Sequence, residues 1–487
     1  MLSVEVCQNA RLSRDARFDG KFFTAVITTG IFCRPICPAR PPKPENVTYY
    51  ESAELAQQSG FRPCKRCFPQ LAPNVPLPKR IRQISQAYYQ NQYNLQKCAE
   101  QLDISERQIR RLFIQYYGLP PSEFFHQQRL LLAHKLLVST PLAITNVAFA
   151  AGFNSIRRFN EVIMKAYQST PSEIRGNKVI SSDNQVTILL PYKAPFDWQL
   201  MLGFFRSRQM SNIENINTEY YFRTVELDEC RGWIKVSHHK TKDALNLTVK
   251  LNDYSYLHQI IARVRRMFDL DADMQLIHQH LKSHPKLALV IENFPGLRLP
   301  GCWDIFEFSI RAILGQQISV KGATTLAQRI AEKYGENIDD IELPANTNTT
   351  KYFPKISALK NVDYQEIGLT RSRIATLQTW VNFFQENESI FTKGLTIEEL
   401  ETALTKLKGI GPWTVNYIGM RGLSDPDAFP SADLGIIKAL TVDEIKPKNK
   451  DILALAESWR PWRAYAAIYL WQSLQLTADN AKLKSKE

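Results

Sequence analysis

The sequence predicts a multidomain chain in which two small α+β parts alternate with two all-helical parts. At roughly 150 residues per domain, 487 residues are too many for one compact fold. A start rich in cysteine and proline gives way to helical periodicity near residue 79. Strand-like alternation begins at Gln185, and a long helical region begins near Trp303. We therefore divide the chain into four predicted domains: 1–75, 79–177, 183–292 and 293–477.

Composition and charge exclude several classes of protein. Hydrophobic residues make up 44% and charged residues 22%, which is typical of a globular chain and excludes a disordered one. No run approaches about 18 uncharged apolar residues, and the N-terminus lacks a signal-peptide pattern, so we expect a cytoplasmic protein without a membrane partner. Residues 1–178 contain 24 basic and 12 acidic residues, whereas the remainder contains 37 and 36. This basic first third favours a polyanion partner, although a merely cationic, soluble surface would give the same count.

Four of the eight cysteines form two close pairs. Cys33 and Cys37 are followed, after 26 residues, by Cys64 and Cys67. Two pairs of thiols on separate turns suit one tetrahedral zinc ion, so we predict a single zinc site with all four as ligands. The spacing leaves open whether the zinc only stabilises the fold of a small domain or also takes part in a reaction. The other four cysteines are isolated and are predicted to be packing residues: Cys7, Cys98, Cys230 and Cys302.

The grouped cysteines lie in two longer motifs, TTGIFCRP over 28–35 and GFRPCKRC over 60–67. Both motifs resemble the N-terminal domain of the Ada family of adaptive-response proteins. The resemblance implies that Cys33 takes a methyl group from a methylphosphotriester in DNA while the other three cysteines remain ligands. It also implies that three residues approach the DNA backbone: Thr29, Arg40 and Arg62. Bound zinc keeps thiols deprotonated, and methylation of one thiolate removes a negative charge, so the affinity for DNA should rise.

Two capped amphipathic helices, 50 residues apart, predict an all-helical double helix-turn-helix domain over 79–177. The first has Ser105 as its N-cap and runs from Glu106 to Tyr116, and the second follows Gly152 and has Ser155 as its N-cap. Each carries arginines on its exposed face, as a helix that enters a major groove does. One such unit would equally fit a plain helical bundle, but two copies in a basic region favour DNA binding.

The pair, with its closing run from Tyr167 to Arg175, resembles the AraC-type DNA-binding domain. The family implies base contacts from exposed residues of two recognition helices, for which four arginines are candidates: Arg107, Arg110, Arg157 and Arg158. Arginine also binds phosphate, so each contact is open between base and backbone. A regulator of this type would have double-stranded promoter DNA as a partner, and RNA polymerase when it activates transcription.

The C-terminal half begins with a small α+β lobe and continues as an all-helical domain. Four alternating segments predict the strands of the lobe: Val186–Leu190, Tyr220–Leu227, Gly232–Val236 and Leu245–Val249. In the helical domain, Gly409 and Gly411 frame a turn where backbone N–H groups can approach a phosphate, although such a pair is often only a turn. Asp433 follows Trp413 by 20 residues. An aspartate near the start of a helical segment, taken by itself, would be interpreted as a helix N-cap.

The glycine turn of Gly409 and Gly411, together with Asp433 placed 20 residues after Trp413, resembles the motif of the helix-hairpin-helix DNA glycosylase superfamily. Further segments narrow the resemblance, over about 185–475, to the AlkA-type 3-methyladenine glycosylases: Pro195–Phe204, Leu297–Glu307, Arg311–Ser319 and Trp459–Arg463. The resemblance implies hydrolysis of the N-glycosidic bond of an alkylated purine, with Asp433 stabilising the sugar cation and orienting a water. The flipped base would lie among aromatic residues that, taken singly, would equally fit a core: Tyr417, Trp471 and Trp413.

Three differences from other members of the glycosylase superfamily refine the expected activity. Members of the superfamily that also cut the strand carry a Schiff-base lysine where Trp413 stands, so we expect no lyase step. No four-cysteine pattern follows Trp471, so we expect no iron-sulfur cluster. Gln317 stands where the best-studied AlkA inserts an apolar wedge, so the gap left by the flipped base would be filled differently here.

Three functions fit these patterns. The first is a fusion of a phosphotriester sensor, an AraC-type activator and a monofunctional alkylbase glycosylase. The second is a glycosylase whose front half only loads it onto DNA, and the third is a regulator whose glycosylase half is weak or inactive. The complete cysteine set, the two recognition helices and Asp433 favour the first. Full-length members of the Ada family also have an O6-methylguanine transferase with a Pro-Cys-His-Arg signature. This sequence has no such run, so the resemblance does not imply direct repair of O6-methylguanine.

Overall fold

The computed structural model describes residues 4–12, 22–37, 39–69, 79–90, 94–140, 142–176, 185–339, 341–344, 347–360, 362–391 and 395–484. The chain forms two compact units, Met1–His134 and Lys135–Glu487. The predicted mixture of small sheets and extensive helix is confirmed. The predicted boundaries at 75, 177 and 183 fall on residues outside these ranges, and the division into four domains stays a prediction.

The first unit begins with a four-stranded sheet and two short helices. Its elements are α1 (Val4–Leu12), β1 (Phe23–Val26), β2 (Ile31–Cys33), β3 (Val47–Tyr50), α2 (Ala53–Gln58) and β4 (Arg62–Pro63). The strand order is β3-β1-β2-β4, with β4 parallel to β2 and the other neighbours antiparallel. Since β2 ends at Cys33 and its partner β4 leads directly into Cys64, the sheet brings the two cysteine pairs together.

Seven helices follow in the described residues, and the predicted starts of the two candidate recognition helices are confirmed. They are α3 (Lys79–Gln90), α4 (Leu95–Gln101), α5 (Glu106–Tyr117), α6 (Pro121–Ser139), α7 (Ile144–Ala150), α8 (Ile156–Tyr167) and α9 (Pro171–Arg175). The Ser105 hydroxyl accepts a hydrogen bond from the Gln108 N–H at 3.2 Å. The Ser155 hydroxyl accepts one from the Arg158 N–H at 3.3 Å, so both serines are true N-caps. The boundary between the two units falls inside α6.

The lobe contains a five-stranded antiparallel sheet of order β5-β9-β8-β7-β6. Its strands are β5 (Val186–Pro191), β6 (Glu214–Ile216), β7 (Tyr220–Leu227), β8 (Cys230–His238) and β9 (Ala244–Leu251), and α10 (Trp198–Arg206) precedes β6. All four predicted strands are confirmed. The edge strand β6 was not predicted, because three residues are too few to show an alternating pattern.

Further helices follow, and those after the first contribute to one continuous apolar core that includes the fully buried Trp380 and Trp459. They are α11 (Leu257–Met267), α12 (Met274–Leu281), α13 (Pro285–Asn293), α14 (Ile305–Leu314), α15 (Val320–Tyr334), α16 (Ile356–Leu359), α17 (Arg371–Asn387), α18 (Ile397–Leu404), α19 (Pro412–Tyr417), α20 (Leu434–Leu440), α21 (Asn449–Ala456) and α22 (Arg463–Lys484). A π-helical turn, Ile418–Gly422, extends α19. No helix in the described ranges has the length and apolar character that a bilayer crossing requires.

A buried polar cluster anchors α22 to the turn after α11. Both carboxylate oxygens of Asp269 accept hydrogen bonds from the Tyr465 hydroxyl, at 3.1 and 3.0 Å, and the Leu299 N–H donates to the same group at 3.2 Å. The guanidinium of Arg298, which is almost fully buried, donates to the Asp269 carbonyl. These contacts fix the first turns of α22, the helix that carries Trp471.

Replacing Asp269 with Asn should change how stability depends on pH. Burial raises the pKa of Asp269 to about 7, against the opposing effects of Arg298 and of the bonds from Tyr465 and Leu299. A carboxyl group with a raised pKa favours the folded state below its unfolded pKa of about 4 and loses that contribution as the pH rises to 7. The Tm of Asp269→Asn relative to wild type should therefore increase between pH 5 and pH 8.

Thermal unfolding followed by tryptophan fluorescence at several pH values measures this difference. Asp271→Asn is the matched control, because Asp271 is an exposed neighbour paired with Arg265. A difference in Tm between Asp269→Asn and wild type that stays constant across the pH range would contradict the assignment.

Candidate functional site

The four grouped cysteines form one cluster. Their sulfur atoms all lie within 4.8 Å of one another, and the Sγ atoms of Cys37 and Cys64 are 3.9 Å apart. Tetrahedral zinc with Zn–S bonds of about 2.3 Å places its sulfurs about 3.8 Å apart. The cluster therefore fits a four-thiolate zinc site, and in the described part of the chain it is the one group of three or more potential ligands arranged to hold a metal ion.

The sulfurs differ in their hydrogen bonds. The Arg66 N–H donates to Cys64 Sγ at 3.4 Å, and the Arg34 N–H donates to Cys67 Sγ at 3.3 Å. A backbone hydrogen bond from Ala39 reaches Cys37. Within the described ranges, no backbone N–H donates to Cys33, which is also half-buried whereas Cys64 and Cys67 are buried. Hydrogen bonds to a thiolate withdraw electron density, and among the described contacts Cys33 is the one sulfur of the four without such a backbone donor.

Two of the three predicted DNA-backbone residues lie together beside the cluster. Thr29 is in the turn between β1 and β2, and the Arg62 N–H donates to the carbonyl of the adjacent Gly30 at 2.7 Å. Both side chains are exposed. Arg40 is also exposed and follows Cys37 by three residues. Contact of these residues with DNA stays a prediction.

The four arginines proposed for the recognition helices are all exposed, two on α5 and two on α8. On α5, Arg110 pairs with Glu106 at 2.6 Å. On α8, Glu161 contacts Arg157 at 3.2 Å and Arg158 at 3.6 Å. The sequence analysis missed these acidic partners, although the four-residue spacing from Glu106 to Arg110 and from Arg157 to Glu161 indicates them.

Asp433 is both a helix cap and the centre of the second candidate site. Its Oδ1 accepts hydrogen bonds from the N–H groups of Gly435 and Ile436, at 2.8 and 3.2 Å, which begin α20. Oδ1 also accepts from the indole N–H of Trp471 at 2.8 Å, and Oδ2 accepts from that of Trp413 at 3.1 Å. The N-cap interpretation of this residue is thus confirmed, and its catalytic role stays a prediction. The sequence analysis placed the two tryptophans in a pocket but missed that they orient the carboxylate.

The three aromatic residues predicted for the pocket lie together beside this carboxylate. The rings of Trp413 and Tyr417 are stacked, with centroids 5.2 Å apart and an interplanar angle of 16°. Trp471 meets Tyr417 edge-on at 6.3 Å, and Phe308 lies 5.3 Å from the same ring. The arrangement groups these aromatic rings around one carboxylate.

Two arginines that the sequence analysis did not single out modify the pocket. Arg421 is 5% exposed, and its Nη1 donates to the Tyr417 hydroxyl at 3.0 Å while Nε donates to the Pro300 carbonyl. The Arg208 guanidinium lies 3.8 Å above the Phe204 ring, and burial lowers the pKa of Arg208 to about 10. Burial alone would raise the pKa of Tyr417, but the charges of Arg421 and Arg208 outweigh it and lower this pKa.

The glycine hairpin requires glycine at its first position. Gly409 has φ +87°, and a Cβ atom there would lie 2.1 Å from Thr376 Oγ1. Gly411 is the N-cap of α19, which carries Trp413 and Tyr417. The hairpin therefore fixes the start of the helix that supplies two of the three predicted pocket residues.

Gln316 and Gln317 lie in a turn that is joined to this hairpin. The Gln316 side-chain amide donates to the Gly409 carbonyl at 2.9 Å and to Thr414 Oγ1 at 3.0 Å. Gln317 is exposed and has φ +57°, in the left-handed region that a residue with a side chain seldom adopts. The turn thus presents the Gln317 side chain outward next to the hairpin.

Family models match three parts of the chain. The metal-binding domain of Ada matches residues 6–70, a helix-turn-helix domain matches 98–177, and the AlkA N-terminal domain matches 187–304.

Individual relatives match longer stretches. A probable bifunctional transcriptional activator/DNA repair enzyme AlkA of Mycobacterium tuberculosis is 34% identical over 97% of this chain and 96% of its own length. DNA-3-methyladenine glycosylase 2 of Escherichia coli is 31% identical over 60% of this chain and 99% of its own length. A solved 3-methyladenine DNA glycosylase from Archaeoglobus fulgidus has the same fold over 58% of this chain and 97% of its own, with a TM-score of 0.51 and 21% identity.

Replacing Gly435 with Ala should displace the Trp471 indole from Asp433. A Cβ atom at this position would lie 2.8 Å from Trp471 Cδ1, closer than real Cβ contacts, and 3.0 Å from Asp433 Oδ1, tighter than most of them. In protein labelled with 5-fluorotryptophan, the ¹⁹F resonance of Trp471, assigned with Trp471→Phe, should shift in Gly435→Ala. The neighbouring Leu434→Ala is the control, because Leu434 is 73% exposed. Identical spectra for Gly435→Ala and wild type would show that this contact is not tight.

Proposed function

Since the chain belongs to the family of bifunctional transcriptional activator/DNA repair enzymes AlkA, we propose that it senses alkylated DNA and excises alkylated purines from it. The excision activity is that of a monofunctional DNA-3-methyladenine glycosylase. One observation carries this proposal: the Asp433 carboxylate is oriented by two tryptophans that also border an aromatic pocket. A carboxylate that only capped a helix would not need a hydrogen bond from either indole.

The proposed reaction is hydrolysis of the N-glycosidic bond. A purine methylated on a ring nitrogen carries positive charge, so it departs as a neutral base and takes the bonding electron pair with it. The sugar is left with oxocarbenium character, which the Asp433 carboxylate stabilises. A water held by Oδ2, which receives one hydrogen bond from the described residues, adds to C1′ and gives up its proton to the carboxylate or to solvent.

The pocket suits a base that has left the helical stack. A cationic purine is attracted by the faces of electron-rich rings, and Trp413, Tyr417 and Trp471 present such rings. The Arg421 contact fixes the hydroxyl end of Tyr417, so the stacked pair is rigid before the base arrives. We assign Gly409 and Gly411 to contacts with the DNA backbone, and the outward-pointing Gln317 to the gap that the flipped base leaves.

The N-terminal domain is proposed to accept one methyl group at Cys33. The thiolate attacks the methyl carbon of a methylphosphotriester, an S–C bond forms, the C–O bond breaks, and the phosphate leaves as a diester anion. Zinc bound by the four cysteines would keep their thiols deprotonated and hold the domain together. Among the described residues, a backbone N–H donates to each of the other three sulfurs and none donates to Cys33, which supports Cys33 as the acceptor. The product is a thioether, a poor leaving group, so each molecule reacts once.

The regulatory half is proposed to turn this methylation into transcription. Losing one negative charge from the cluster reduces its repulsion of phosphate, so methylated protein binds promoter DNA more tightly through α5 and α8. RNA polymerase is the partner of the activated state. The donors that orient Asp433 and the aromatic rings beside it favour this proposal over the alternative, a regulator with a weak or inactive glycosylase half.

Asp433→Asn should abolish most excision. Asparagine can still cap α20, so the fold is kept, but it lacks the negative charge that stabilises the sugar cation. Release of 3-methyladenine from methylated duplex DNA should fall by about 10²–10³-fold. Asp443→Asn, which removes an exposed carboxylate from a nearby turn, should leave release unchanged. Equal release by Asp433→Asn and wild type would remove the catalytic assignment.

Cys33→Ser should lose methyl acceptance while keeping the metal. Methylphosphotriester DNA with a labelled methyl group is incubated with each protein, and mass spectrometry of peptides locates the label. We expect one label per wild-type chain, on Cys33, and none on Cys33→Ser. Metal analysis should give one zinc in both, because three thiolates remain as ligands. Label on another cysteine would show that the nucleophile is wrong.

A further inference from the structure

The recognition helix α8 carries an acidic group in the middle of its exposed face. Its buried face consists of Phe159, Val162 and Ile163, and Arg157 and Glu161 lie one turn apart on the opposite, exposed side. Glu161 bonds through Oε1 to Arg157 Nε and contacts Arg158 Nη1 through Oε2. We propose that Glu161 reads a cytosine in the major groove while Arg157 reads a neighbouring guanine. This inference rests on the proposed DNA-binding role of the helix-turn-helix domain.

The stability of the helix does not explain Glu161. The Arg157 and Glu161 side chains are 90% and 50% exposed, and an ion pair this open to water contributes little to folding. A carboxylate that faces a polyanion weakens binding through repulsion unless the DNA offers it a hydrogen-bond donor. Its presence on this face therefore points to such a donor.

The chemistry of the major groove selects cytosine as that donor. Only the amino groups of adenine and cytosine donate hydrogen bonds from the major-groove edge. Adenine places the N7 acceptor beside its amino group, and this acceptor repels a carboxylate. Cytosine offers its N4 amino group without a neighbouring acceptor on the same base, so it is the base that Glu161 fits.

The ion pair also prepares Arg157 for guanine. Its Nε donates to Glu161, which leaves the two terminal nitrogens as a fork that matches O6 and N7 of guanine. Four residues of helix advance about 6 Å, and neighbouring base pairs are about 3.4 Å apart. The guanine and the cytosine therefore lie on adjacent or next-adjacent base pairs.

The other recognition helix provides an internal contrast. On α5 the acidic partner, Glu106, is the first residue of the helix, where the free N–H groups and the helix dipole stabilise a carboxylate without any ligand. Glu161 lies in the second turn of α8, beyond that effect. The two pairs have opposite order along the helix, and of the two acids only Glu161 lies beyond the reach of its helix N-terminus.

Selection of binding sites from a randomised duplex library, with the full zinc-loaded chain, tests this inference. Wild type should enrich a half-site with a fixed guanine and cytosine, and Glu161→Ala should lose about 10-fold of the preference for cytosine. Glu161→Gln should switch the preference at that position to adenine, because a glutamine amide pairs with N6 and N7. Glu123→Gln removes an exposed acid from α6 and should select the wild-type site.

The outcomes separate this inference from the proposed function. If wild type and both Glu161 variants enrich the same site, Glu161 does not read a base, although the helix-turn-helix domain binds specific DNA. If wild type enriches no site at all, the regulatory function fails, and the inference fails with it.

Discussion

The proposed repair chemistry depends on how the Asp433 carboxylate is held. Its donors come from three helices: the first N–H groups of α20, the Trp413 indole of α19 and the Trp471 indole of α22. The carboxylate is therefore oriented only when these helices pack correctly. Other features serve this packing: the hairpin sets the start of α19, and the bond from Tyr465 to Asp269 holds α22.

Each proposed function places negative charge on a protein that binds a polyanion. The thiolates of the cysteine cluster, Asp433 and Glu161 would all repel phosphate, and each is surrounded by local donors or cations that hold it. Each anion is also matched to an electron-poor feature of DNA. The thiolate is matched to a methyl carbon, Asp433 to a sugar cation and Glu161 to an amino group. Positive surface charge then supplies general affinity, while these few anions supply chemistry and specificity.

The sequence predicts much of the fold because its signals are local. The serine caps of α5 and α8 and the alternation of β7 follow from short patterns, and the cysteine spacing indicates the cluster. Contacts between distant segments were not predictable in this way. That the Trp413 and Trp471 indoles point at Asp433 depends on side-chain directions, which spacings of 20 and 38 residues do not encode. Arg208, which acts on Tyr417 from a distant segment, was not predicted for the same reason, whereas Arg421 lies only four residues after Tyr417.

A double-mutant cycle between Trp471→Phe and Asp433→Asn tests the central claim most directly. Single-turnover excision rates are measured for wild type, both single variants and the double variant on the same methylated duplex. If the indole acts by orienting the carboxylate, Trp471→Phe slows wild type but has almost no effect in the Asp433→Asn background. Equal losses from Trp471→Phe in both backgrounds would contradict the account, since the indole would then act independently of the carboxylate.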